Sequence, residues 1–382
     1  MSVTEWSRRF ESLQTLMRTT AGQREAKSRW PAEMIAAAGK AGWLAAASGL
    51  AREDHRLSSS EVLDGWTRLA AADLASTFAM TQLVGAIKRV TSGTGAVLRD
   101  DQRQRLLAGD WTLSVGISQL TTSRRHLNRP AVIALPGDHG WIVRGTVPWV
   151  TGANHVDGFV IGATVWSEDA SGPSAKPAKQ TIGDELPNEE LLLLISRTAA
   201  GVRCGPGQPL MAMSETATDE VELEDVYVPN DDVIAGPIPH VLTKGTPIRG
   251  GGAGGLQTSA LALGLACAAV DFVAEQSARR SELQPIAERF RERADRVAAQ
   301  LRGAAEGESS SGPESIRRDV NRLVLDATQT ALTVSKGAGF VRGSDVERWC
   351  RQAMFFLVWS CPGSVAGELV CGFADLPVAS ES

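Results

Sequence analysis

The hydrophobic period of this chain changes twice, and that change limits the folds open to it more than any single residue does. Up to about residue 110, apolar side chains recur every three or four positions, as on one face of a helix. Trp6, Phe10, Leu13, Leu16 and Met17 mark the first such face. Met34, Ile35, Ala38 and Ala41 mark a second, behind Trp30-Pro31, where proline suits a first turn. Ser58-Ser59-Ser60-Glu61 offers N-cap and first-turn chemistry for a third through Leu63, Trp66 and Leu69, and Leu74–Val90 continues the helical part. From Asp110 the period falls to two. Strands are expected over Trp111–Ser118, Ala131–Leu135, Trp141–Val147, Phe159–Val165, Leu191–Arg197, from Val202 onward, and over Glu220–Val228, with a polar surface loop at 167–189. Pro136–Gly140 reads as a hairpin turn longer than the tightest two-residue type.

From about Gly250 the helical period returns. Helices are expected over Thr258–Arg280, through Leu283–Leu301 and through Val320–Val334, with Gly303–Pro313 as a flexible linker. Ser344-Asp345-Val346-Glu347 is a capping box for a fourth helix, running to Trp359 and ended by Pro362. The prediction is an α+β multidomain chain rather than an alternating parallel sheet. It has an N-terminal helical domain over 1–110, a compact β domain over 111–240 and a C-terminal four-helix bundle over 241–382.

Charge and cysteine usage narrow the function classes. A net charge of −5, with arginines scattered over helical faces, leaves no footprint for nucleic acid. Five cysteines without a CxxC, and five scattered histidines, argue against structural zinc and for a reducing compartment. The longest apolar stretch, Ala260–Ala274, is interrupted by Asp271, so no membrane span is expected. The start MSVTEWSRRF does not suit a secretory signal, and the expected location is cytoplasmic.

Within the β part, Gly140–Val165 reads as two strands of a sheet joined by a polar corner at Gly152-Ala153-Asn154-His155. Trp149 and Thr151, two residues apart, would share one face of the chain, which meets either core or ligand. There is no GxSxG, Walker loop, HExxH, or GxGxxG after a strand. His126 with Arg124 and Arg125 is a candidate anion contact, and Arg249–Gly255 is either an anion cradle or a hinge. Gly337-Ala338-Gly339 would let a backbone or a ligand approach closely.

Four stretches together resemble the acyl-CoA dehydrogenase family of flavoproteins over nearly the whole length. Ser28–Met34 is similar to its WP-x-E helix, and Gly140–Thr151 with Asp157–Val160 to its strand ending W-(I/V)-T. Thr216–Pro229, TATDEVELEDVYVP, resembles its (T/S)-x-x-V-x-F-x-D-V-x-V-P strand, and Gly337–Gln352 its G-G-x-G-(F/Y) … R-D segment. The resemblance implies a helical domain, a β-barrel and a four-helix bundle, with FAD as cofactor. It gives Trp149 the place beside the isoalloxazine and Thr151 a hydrogen bond to its N5 edge. Of the family's T-E-P-G-A-G-S-D loop only the Ser118 hydroxyl survives. It gives Arg279 the pyrophosphate of a neighbouring subunit's FAD, and Gly337 and Gly339 its adenosine half; the family's nearby Gln is Thr333. A homodimer or homotetramer is therefore implied.

The departure lies at the base. The family's Y-E-G-T reads Trp359-Ser360, so Ser360 stands where the proton-abstracting Glu is expected, and a serine needs an activator that no nearby His supplies. The alternative base position falls near Gly254, and the CoA-side Arg reads Gly255. Glu368 and Cys361 are the nearest replacements by sequence. Three readings follow. One is an FAD oxidoreductase acting on an acyl thioester or related acyl substrate, its base relocated or supplied by the substrate, with an electron-transfer flavoprotein as partner. Another is a monooxygenase using O2 and reduced flavin from a separate flavin reductase. The third is a catalytically silent flavoprotein or assembly partner.

Overall fold

A computed structural model describes residues 3–93, 98–121, 130–166, 189–244, 255–309 and 311–376. Its first part is helical: α1 (Val3–Ala26), α2 (Ala32–Lys40), α3 (Trp43–Ser48), α4 (Ser59–Ala72), α5 (Leu74–Ser92) and α6 (Asp100–Ala108). Phe10, Trp43 and Trp66 interlock at their centre, with ring centroids 5.2 and 4.9 Å apart. Leu16, expected on the buried face of α1, points outward. Ser58 and Glu61 complete a reciprocal capping box at the start of α4, which satisfies two otherwise orphaned amides.

The strands β1 (Leu113–Gly116), β2 (Val132–Gly137), β3 (Gly140–Val150), β4 (Gly158–Val165), β5 (Glu189–Ser196), β6 (Val202–Cys204), β7 (Asp219–Pro229) and β8 (Val233–Pro239) form one sheet. Its order is β6-β7-β3-β2-β4-β5-β8, with β1 alongside β4. Inward side chains of β3 and β7, such as Val143, Val147 and Val226, share one apolar cluster with Phe159 and Ile161 of β4 and Leu193 of β5. The sheet thus wraps around its own core, as the expected barrel does. The β2–β3 turn is tighter than the sequence suggests, because Gly137 pairs with Gly140 and leaves only Asp138-His139 between. β3 and β4 do not pair with each other; β2 lies between them. β8 carries Pro237 and Pro239, which conceal a strand in the sequence and are tolerated because it ends the sheet.

The last part comprises a short α7 (Val241–Lys244), three long helices α8 (Leu256–Ser277), α9 (Gln284–Glu306) and α10 (Pro313–Ser335), and two shorter ones, α11 (Asp345–Phe355) and α12 (Gly363–Phe373). α8 is long and apolar enough to cross a membrane by composition, and most of that apolar stretch is buried against α4, α9 and α10. Two expectations move. Gly303–Glu306 belongs to the last turn of α9 rather than to a linker. α11 stops at Phe355, four residues before Trp359, because Arg317 and Asn321 of α10 take up carbonyls of the following turn.

Candidate functional site

The β3–β4 corner is built by a bulge and a tryptophan. The register of β3 against β7 shifts between Val147 and Val150, so strict alternation breaks just before Thr151. Trp149 is left 52% exposed, whereas Thr151 is 5% exposed. Trp30, in the WP-x-E stretch, covers the corner. Gly152 has φ 69°, and a Cβ there would lie 2.5 Å from the Trp30 ring, which also stacks on His155 with centroids 5.5 Å apart. Burial, helped by the Arg197 charge, holds the His155 imidazole below its ordinary pKa.

Ser118 opens a short 3-10 turn, Ser118–Leu120, that packs on β3 and β4. Gln119 anchors the turn by donating to the carbonyls of Gly116 (3.0 Å) and Gly162 (2.7 Å). The Ser118 hydroxyl is buried and has no hydrogen-bond partner among the described residues. A buried hydroxyl without a partner costs free energy unless a ligand or water completes it. The Ser118 turn thus packs on the strand that carries the open Trp149 and leads into the buried Thr151.

Behind Thr151 lies the start of the Thr216–Pro229 stretch together with the turn that precedes it. The turn Ser214–Thr216 is flanked by two left-handed non-glycine residues, Met213 (φ 64°) and Ala217 (φ 45°), an uncommon and costly arrangement. The amides of Gly152 and Ala153 donate to the carbonyls of Thr216 and Ala217 at 2.9 and 3.3 Å, which fixes this turn to the corner. Three buried hydroxyls then form a chain: Thr216 Oγ1 lies 2.8 Å from Thr218 Oγ1, which lies 3.3 Å from Thr151 Oγ1. Glu215, in the same turn, is 1% exposed, and its Oε2 has no hydrogen-bond partner among the described residues. Burial, then the negative charge of Asp73, push its carboxyl up to about pKa 7.

Ser360 sits in the turn between α11 and α12 with φ 47°. Its neighbour Trp359 stacks on Phe355 (4.9 Å) and meets Phe78 of α5 edge-on (4.7 Å). Glu368 is bonded to Arg318 at 2.6 Å, and burial raises the pKa of the Cys361 thiol. Beneath the turn, Arg317 is 0% exposed and donates to the carbonyls of Phe356 (3.4 Å) and Trp359 (3.0 Å).

Arg279 is exposed at the end of α8, with no side-chain partner among the described residues. The next residue, Arg280, lines a cavity of 590 Å³ with Phe290, Arg293, Gln329 and Thr333. Gly337 is exposed, and Gly339 is buried where a Cβ would meet the Ser335 side chain at 2.5 Å. These residues lie at the outer end of the bundle, on elements other than those that carry Trp149 and Thr151. Arg124–His126, Arg249–Gly254 and nearly all of the 167–189 loop lie outside the described residues. Among the described residues no His/Cys/Asp/Glu group could hold a metal, and all five cysteines are free.

No protein-family model matches the chain, and no curated protein matches it by sequence. Solved structures match its fold along the full length. The glutaryl-coenzyme A dehydrogenase–glutaryl-CoA complex aligns with a TM-score of 0.75 at 14% identity, covering 100% of this chain and 98% of the other. The 3-HSA hydroxylase from Rhodococcus sp. RHA1 aligns at 0.70 and 18% identity, covering 98% of each chain. TdsC from Paenibacillus sp. A11-2, in complex with FMN and indole, aligns at 0.69 and 17% identity, covering 99% of each. The chain has the acyl-CoA dehydrogenase fold, and proteins of that fold include both dehydrogenases and hydroxylases.

Proposed function

We propose that this chain is a flavin-dependent oxidoreductase whose redox-active ring lies beside Trp149. In this reading Thr151 stands at the ring's hydride-accepting edge and Ser118 at its polar rim. The observation that carries it is the pairing of an open Trp149 with a buried Thr151 hydroxyl whose one partner among the described residues is Thr218, because a hydroxyl can make more than one hydrogen bond. FAD is the proposed form. Arg279, exposed at the end of α8, is the proposed pyrophosphate contact, and the neighbouring cavity adds the guanidinium groups of Arg280 and of Arg293, the latter paired with Asp326. That cavity would serve the cofactor of a second copy, in a homodimer or homotetramer.

Of the two reactions, the turn after α11 favours monooxygenation with O2 and reduced flavin from a separate reductase. Ser360 cannot take an α-proton unaided, Glu368 is paired with Arg318, and burial raises the pKa of the Cys361 thiol. Dehydrogenation of an acyl thioester, with electrons leaving to an electron-transfer flavoprotein, would need a base from elsewhere. The discriminating experiment uses flavin-loaded protein. Straight-chain acyl-CoA is expected to leave the flavin oxidised, and photoreduced protein mixed with oxygen to pass through a transient absorbing species. Rapid bleaching by acyl-CoA would instead establish the dehydrogenase.

A further inference from the structure

The corner beyond Thr151 is held from behind by one turn, and that turn carries a buried acid. The amides of Gly152 and Ala153 donate to the carbonyls of Thr216 and Ala217. Met213 and Ala217, which flank the turn, take left-handed conformations that persist only while their surroundings enforce them. Glu215 lies between them, buried where the turn packs on α1 and α5. The charged groups around it are Asp73 at the start of α5, Arg24 and Glu25 of α1, and Arg348 and Arg351 of α11. Each of these cations already has a carboxylate: Arg24 is paired with Asp73, Arg351 with Glu25 and Glu347, and Arg348 with Asp345. Glu215 Oε2 and Arg348 Nη1 are both buried and both lack a hydrogen-bond partner among the described residues, so the two do not meet. A carboxyl that keeps its proton tolerates that arrangement. A carboxylate does not, because an unpaired charge costs far more to bury than a neutral group.

We propose that Glu215 is a proton-dependent latch on the Thr151 corner. Protonated, it keeps the turn seated behind Gly152 and Ala153; on losing its proton it lets the turn lift away. The carboxylate is then drawn to water or to Arg348 Nη1, and either move takes the Thr216 and Ala217 carbonyls off the corner amides. The closed turn holds its proton up to about pH 7, whereas a turn opened to water releases it near 4.5, so opening becomes easier as pH rises between those values. The latch itself needs no flavin. Its consequence for the cofactor rests on the reading that Thr151 meets the flavin edge: the opened corner is then where a flavin supplied from outside enters and leaves.

The test is amide hydrogen exchange at Gly152 and Ala153 in the flavin-free protein at pH 5 and pH 7, corrected for the intrinsic pH dependence of exchange. Protection there should fall by roughly tenfold or more, as linkage requires when opening releases one proton. It should stay below that of Phe159–Ile161 in β4, which marks the opening as local. In Glu215→Gln, whose side chain is neutral at both pH values, the fall should shrink to within about twofold. Corner protection that is unchanged or rises from pH 5 to pH 7 in the unaltered protein, that falls equally in Glu215→Gln, or that matches β4 throughout, overturns the latch. Saturating FAD or FMN at pH 7 should raise corner protection by roughly tenfold or more, as a ligand of the closed form does. A flavin that leaves it unchanged, or fails to bind, overturns the placement of the cofactor at this corner, while the pH comparison alone decides the latch.

Discussion

Arg351 of α11 lies 2.5 Å from Glu25 of α1, although 326 positions separate them. The same guanidinium donates to the Met211 carbonyl at 3.1 Å and to Glu347 at 2.5 Å. One side chain thus joins the first helix, the segment leading into β7 and the helix that precedes the Ser360 turn. Its hydrogen bonds to Glu347 and Glu25 raise its pKa, so it stays charged throughout. Arg351→Met should lower the unfolding free energy by about 3 kcal/mol, because it leaves two half-buried carboxylates without their partner. Urea titration measures this, and Arg351→Lys should recover part of the loss. An unchanged midpoint would show that the layers are held by apolar packing alone.

Glu215 gives a pH signature of definite sign. Its carboxyl is raised from the ordinary 4.5 to about 7 by burial, then by Asp73, which caps α5, and Glu25 of α1, with Arg348 of α11 acting in the opposite sense. The folded state therefore holds a proton that the unfolded chain releases, and stability falls as pH rises from 4.5 to about 7. Glu215→Gln removes that dependence. It should match the unaltered protein below pH 4.5 and exceed it by about 3 kcal/mol above the folded pKa. Equal stability at pH 5 and pH 8 in the unaltered protein would contradict the burial of an ionisable Glu215.

Much of the fold is legible because its signals are local. Val143 and Val147 alternate as a half-buried strand should, and Ser58 with Glu61 announces α4. The misses have long-range causes. Nothing near Glu215 in sequence reveals its burial, since Asp73, Glu25 and Arg348 come from three distant helices. The apolar run Phe356–Trp359 reads as helix until Arg317 and Asn321 of α10 arrive to take its carbonyls. Thr216 and Thr218 fall in the stretch that resembles the family's strand, but their nearness to Thr151 is not local: the register of β7 on β3 brings them there. Arg280 lines the cavity of the bundle while Arg279, one position before it, is exposed, a distinction at a helix end that residue spacing does not draw.

Arg317 holds the Ser360 turn from below. It has no ion-pair partner among the described residues, and burial depresses its pKa to about 10. Arg317→Leu should release the Phe356 and Trp359 carbonyls, speed amide exchange over 356–360 by tenfold or more, and alter Trp359 fluorescence; the tenfold corresponds to roughly 1.4 kcal/mol of local opening. Exchange confined to its original rate would mean that the Phe78–Phe355–Trp359 cluster fixes the turn unaided.

Trp149 and Thr151 separate binding from stability. Trp149 is about half open, so Trp149→Ala should change the unfolding free energy by less than about 1 kcal/mol. The same change should weaken flavin binding by roughly tenfold or more through loss of ring contact.

The most direct measurement is an equilibrium titration of the purified chain with FAD and with FMN, followed by flavin fluorescence, on the unaltered protein, Trp149→Ala and Thr151→Val. Saturable binding of one flavin per chain, weakened in both variants while their urea midpoints stay close to the unaltered value, is the predicted result. Flavin fluorescence that never saturates, or affinities identical in all three proteins, would contradict the placement of a flavin at the Thr151 corner.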